Sequence, residues 1–167
     1  MPFPADFETY AGTRLFIKAG RPTDDTEAAF ETFFGAGALE FTVTQVGAME
    51  GRQSNTSELD VVSQGLVRRR VGNYQLIDSE WMVLEEGEDG DTDAFDAADT
   101  VMRDRSVASF AVVRQSGSVL YCTAQVSNLS ESGGGSNDNL VYAMTLLLQS
   151  EALKATTPVI PTPDITP

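Results

Sequence analysis

A chain of 167 residues suits one domain that buries most of the surface its unfolded form exposes. Its apolar share of 41% supports an ordinary core, and a lone cysteine, Cys122, excludes an intramolecular disulfide and any multi-cysteine metal site. Eleven basic against 25 acidic residues leave a formal charge of −14, a surface that repels phosphate. Solubility alone accounts for such a charge, and so does a need to stay near a polyanion without sticking to it.

The chain starts Met-Pro-Phe-Pro-Ala-Asp-Phe-Glu, without the basic start and apolar run of a secretory signal, so no export by that route is expected. Residues 13–19 alternate, with Leu15 and Ile17 on one face and Arg14, Phe16 and Lys18 on the other, which predicts a strand. Residues 20–37 form a long acidic connection with a short helical turn over Thr26 to Phe34. Ala38 to Val46 alternates again: Leu39, Phe41 and Val43 face one way, and Glu40, Thr42 and Thr44 the other. A half-buried strand is expected there.

Residues 47–72 are rich in Gly, Ser, Asn, Gln and Arg, and their apolar residues include Leu59, Val61, Val62, Leu66 and Val67. So long a polar insert is either a surface loop or an arm that orders against a partner. Asn73 to Leu84 is expected as one long strand carrying Trp81. An acidic run follows, and Asp93 then caps a helix that ends near Arg105, with Ala94, Phe95, Ala98, Val101 and Met102 as its apolar stripe. Asp96 leads that helix and Arg103 and Arg105 trail it, as the helix dipole favours.

Val107 to Arg114 and Ser118 to Leu129 are predicted as a hairpin turning at Ser116-Gly117, with Cys122 a small buried hydrophobe. Leu140 to Gln149, apolar on both faces, reads as a strand covered on two sides, the second cover being a neighbouring subunit. It falls far short of the roughly 20 residues that span a bilayer. Residues 155–167 are a Pro/Thr tail, expected to be extended or disordered. The whole divides into a single β domain over 1–154, with 47–72 as its arm, and that tail.

The chain has no histidine, which removes Ser-His-Asp and Cys-His nucleophilic sites and the usual zinc and iron ligand sets. Carboxylate-pair hydrolysis stays open on paper, but no pair stands out among so many acids. Asp89, Asp91 and Asp93 invite a calcium reading, yet an EF-hand count from Asp89 places Ala94 where Gly belongs and Thr100 where Glu belongs. No Lys-Ser/Thr follows Gly133-Gly134-Gly135, so that run is a turn, not a phosphate cradle. No catalytic residue, metal or cofactor is expected. Arg68, Arg69 and Arg70, the one basic cluster, are expected to meet an acidic surface on a partner subunit.

Taken in order, a strand pair, a long polar arm, the strand Ser79-Glu80-Trp81-Met82-Val83-Leu84, an acidic loop and the helix at Asp93 lead to three more strands. Two of these run through Ser109-Phe110-Ala111-Val112-Val113 and Thr123-Ala124-Gln125-Val126-Ser127-Asn128-Leu129-Ser130. The last is Asn139-Leu140-Val141-Tyr142-Ala143-Met144-Thr145-Leu146. Over roughly residues 10 to 150 this organisation resembles the tail tube (major tail) proteins of long-tailed phages, whose fold is shared by the inner tube protein of type VI secretion systems.

The resemblance implies a mainly β fold, a β-sandwich or half-barrel with one flanking α-helix and a long arm. It implies a structural, non-enzymatic virion protein of the tail, assembled in the host cytoplasm. Six subunits would close into a ring, and rings would stack into a hollow tube. A tape measure protein fills that tube first, other tail proteins cap it, and DNA then passes without specific binding and without a membrane partner. It further implies that the arm, with Leu59, Val61, Val62, Leu66, Val67, Arg68, Arg69 and Arg70, reaches the adjacent ring. Glu40, Asp78 and Glu80 are expected to line the channel. Open alternatives are a terminator or initiator ring of the same fold, a secretion tube protein, or a monomeric β-sandwich binding module.

Overall fold

The computed structural model describes residues 11–35, 37–61, 66–85, 93–135, 140–156 and 159–161, with backbone placement alone for 55–61 and 66–71. The fold is mainly β: a curled half-barrel sheet with helices on both of its faces. Strand β1 (Arg14–Ala19) sends Leu15 and Ile17 into a large core and Phe16 into a second, smaller one, and all three are fully buried. The unbroken apolar triplet thus serves two cores, one on each face of the sheet.

Helix α1 (Glu27–Phe34) is more than the expected turn. The Thr26 hydroxyl accepts from the Ala29 amide at 3.3 Å, and Glu27 adds negative charge to the first turn. Phe30 and Phe34 are buried against Tyr121, their ring centroids 5.4 and 5.8 Å from its ring. These aromatics, with Phe16, Ala111, Val113 and Val119, form the smaller core.

The single strand expected over Ala38 to Val46 is two strands, β2 (Leu39–Phe41) and β3 (Val43–Gln45). Thr42 separates them because they pair with different partners: β2 with β1, and β3 with β6 (Asp78–Leu84). With β7 (Ala108–Val113), β8 (Val119–Glu131) and β9 (Val141–Leu148), the sheet runs β2-β1-β7-β8-β9-β6-β3. Its two edge strands are therefore neighbours in sequence, and the Leu84 amide donates to the Thr42 carbonyl at 2.9 Å. The sheet has curled until its ends meet.

Helix α2 (Ala94–Asp104) fills the concave side. Asp93 caps it, Oδ1 accepting from the Asp96 amide at 2.8 Å, and Arg105 closes it in the left-handed conformation at φ 54°. Its buried Ala94, Ala98 and Val101 join Trp81, Phe110, Cys122, Met144 and Leu146 in the large core.

Residues 47–76 differ most from expectation. The polar arm is a regular antiparallel hairpin of β4 (Arg52–Val61) and β5 (Leu66–Leu76), forming a two-stranded sheet of its own. The long strand expected over Asn73 to Leu84 breaks at Ile77, because its first residues belong to the arm. Between Ser54 and Thr56 the register shifts, so that Gly72 and Asn73 face Asn55 alone; this β-bulge increases the twist.

Where it is described, the start of the Pro/Thr tail is attached to the body. Strand β10 (Leu153–Lys154) pairs with β8 at Tyr121 and Leu120. The Ala155 amide donates to the Val119 carbonyl, and Thr156 donates through its amide and hydroxyl to the two carboxylate oxygens of Glu27, all at 2.9 Å. The Tyr121 hydroxyl donates to the Val159 carbonyl at 2.9 Å.

Candidate assembly surfaces

Alternation along β6 buries Ser79, Trp81 and Val83 and turns Asp78, Glu80, Met82 and Leu84 outward. Antiparallel register places Leu147 beside Asp78, Thr145 beside Glu80, Ala143 beside Met82, and Val141 beside Leu84. On the other side of β9, Gln125, Asn128 and Ser130 continue these rows. Asp78 and Glu80 are exposed, and the apolar residues of the strip are half-buried. None of those apolar side chains joins either core among the described residues. The outer face of β9 thus has the two-sided apolar character read from the sequence, and no described element covers it.

The three acids singled out from the sequence share the outer face of the sheet, on different strands. Asp78 and Glu80 share one face of β6, and among the described residues neither has an ion-pair partner. Glu40 lies on the α1 side of the sheet, opposite Phe16, and pairs bidentately with Arg14 at 2.6 and 2.8 Å. That hydrogen-bonded pair holds the Arg14 guanidinium above its ordinary pKa, and the guanidinium sits 4.9 Å from the Phe16 ring centroid. Glu40 is thus ion-paired, unlike Asp78 and Glu80 among the described residues.

The second surface is the hairpin. Leu59 stands opposite Arg68, Val61 opposite Leu66, Val67 opposite Asp60, Arg69 opposite Glu58, and Arg70 opposite Ser57. Val62 lies outside the described residues, as do Asp89 and Asp91 of the acidic run. A two-stranded hairpin is marginal in water on its own, and this one extends about 33 Å at roughly 3.3 Å per residue.

No protein-family model and no curated protein matches the sequence. Among solved structures, a chain in the cryo-EM structure of the anti-feeding prophage baseplate, 6-fold symmetrised, aligns over 93% of this chain and 97% of its own, with a TM-score of 0.56 and 10% identity. This chain shares that fold. A chain in the sheath-tube complex of an extracellular contractile injection system aligns over 91% of this chain and 93% of its own, at 14% identity and a TM-score of 0.48. A chain in the tube-terminating cap of the anti-feeding prophage gives 93%, 94%, 13% and 0.47 in the same order.

Chemistry beyond assembly finds little purchase. Among the described residues, no three His, Cys, Asp or Glu gather as a metal set. Cys122 is fully buried, and burial pushes its thiol up to about 12, far from the ionised form of a reactive cysteine. The Asp93 carboxyl lies above the ordinary carboxylate range, chiefly through burial, which the Asp96 amide opposes. Its hydrogen bond to that amide marks it as a cap.

Proposed function

We propose that this chain is a structural subunit of a tail-tube-like assembly, closing into six-membered rings that stack into a hollow tube. The observation that carries this reading is the hairpin: a long two-stranded arm that, among the described residues, pairs only with itself, beside a main sheet that shares no ladder with it. Such an element gains its stability from a surface outside its own subunit. The uncovered strip on β9 and β6 supports the same reading, because heterologous head-to-tail contacts close rings by burying a patch of this kind. The fold shared with a chain of a 6-fold symmetrised baseplate supports six copies.

In this assembly the arm, with Leu59, Val61, Leu66, Val67 and the three arginines, meets the acidic surface of a copy in the adjacent ring. Asp78 and Glu80 face the channel, where fixed negative charge lets DNA pass without adhering. A tape measure protein occupies that channel before DNA does, in a virion tail put together in the host cytoplasm. Removing residues 54–66 tests the arm. Sedimentation of the shortened protein is expected to show soluble monomers or single rings; tubes forming as in the intact protein would contradict the arm's role.

A further inference from the structure

We propose that the arm is a hinged lever, held in its present pose in the free subunit by one ion pair, Arg52 to Glu151. Among the described residues the arm shares no ladder with the main sheet, so no strand pairing fixes its direction. One of its two connections to the body is Gly51, at φ 151°, where an added Cβ would lie 2.9 Å from the Ile77 side chain. The other is Ile77 itself, the single residue between β5 and β6.

On the body side of this pivot Glu50 pairs with Arg114 at 3.3 Å. On the arm side Arg52, the first residue of β4, reaches Glu151 at 2.6 Å, just before β10. Beneath the root lies an open cleft of about 240 Å³, walled by Met49, Leu76, Leu148 and Ala152. Leu76 packs against the large core and tethers the root, while the cleft leaves open space beside Arg52 into which the arm can lean. The side chains of Arg52 and Glu151 are 57% and 62% exposed, so their attraction biases the pose without fixing it. A neighbouring surface can therefore redirect the arm at small cost.

The inference concerns the free subunit and stands whether or not rings form. Spin labels at Ser57→Cys on β4 and Thr100→Cys on α2 report the arm's direction in the full-length protein. Buried Cys122, its thiol pushed up to about 12, stays unlabelled. At low salt the intact pair is expected to give one dominant distance. Glu151→Gln should raise a second distance by about two- to five-fold, and roughly 0.5 M salt should do the same by screening. The charge swap R52E with E151R should restore the single distance, whereas Asp99→Asn, which removes a different surface pair, should change nothing. A distribution unmoved by E151Q and by salt, or one still broad in the charge swap, would overturn the latch.

Discussion

Trp81 shows how much of the core hangs on small neighbours. Its indole N–H donates to the Ser79 hydroxyl at 2.8 Å, and that hydroxyl in turn lies 3.3 Å from the Met49 sulfur. Ser79 is fully buried, so Ser79→Ala leaves a buried indole donor without a partner and should cost about 1–3 kcal/mol. Gly47 crosses the same ring so closely that an added Cβ would stand 2.5 Å from the Glu80 carbonyl and 2.6 Å from the indole nitrogen. Gly47→Ala should therefore destabilise by about 1–3 kcal/mol through overpacking, and urea titrations of both variants measure these losses. Cys122 and Tyr121 hold their protons to about 12 in the fold, against ordinary values of 9.0 and 10.0. Between those limits the unfolded chain releases protons first, so native stability falls as pH rises through them. The urea midpoint should drop from about pH 9 upward, and less steeply in Cys122→Ala. That Leu15 and Ile17 share one face was legible from alternation. The role of Gly47 was not, since nothing local reveals that a distant indole will pass against it.

At the level of elements, regular periods were readable where one segment served one partner. The α2 stripe and the cap at Asp93 follow from spacing, and so does the β7–β8 hairpin. Reading faltered where a continuous pattern serves two partners. Leu39 to Gln45 alternates as one strand but divides between opposite edges of the sheet, and Asn73 to Leu84 divides between arm and body. The attachment of the tail was not legible because its anchors lie elsewhere in the chain, at Glu27 and Tyr121. Its strand β10 and Ala155 complete the edge of β8 around Val119 to Tyr121, which β9 leaves unpaired. Ending the chain after Ser150 should bare that apolar edge. Light scattering of the shortened protein is expected to show concentration-dependent aggregation; a clean monomer with full stability would refute this guarding role.

Over the whole molecule, charge and apolar surface are arranged for company. Asp78 and Glu80, without an ion-pair partner among the described residues, stand at one end of the strip and Leu84 and Val141 at the other, while the β4–β5 hairpin forms a sheet of its own. The fold class was legible in the sequence, because alternation, one strong helix and the order of elements survive without any side-chain detail. Which acids are paired was not: Glu40 and Asp78 have the same local pattern and share the outer face of the sheet, and only the pairing of β1 with β2 brings Arg14 to Glu40. The most direct test of self-assembly is negative-stain electron microscopy of the purified full-length protein across a concentration series, with sedimentation alongside. Rings or hollow tubes that grow with concentration are the predicted result. A monomer at every concentration would contradict the account.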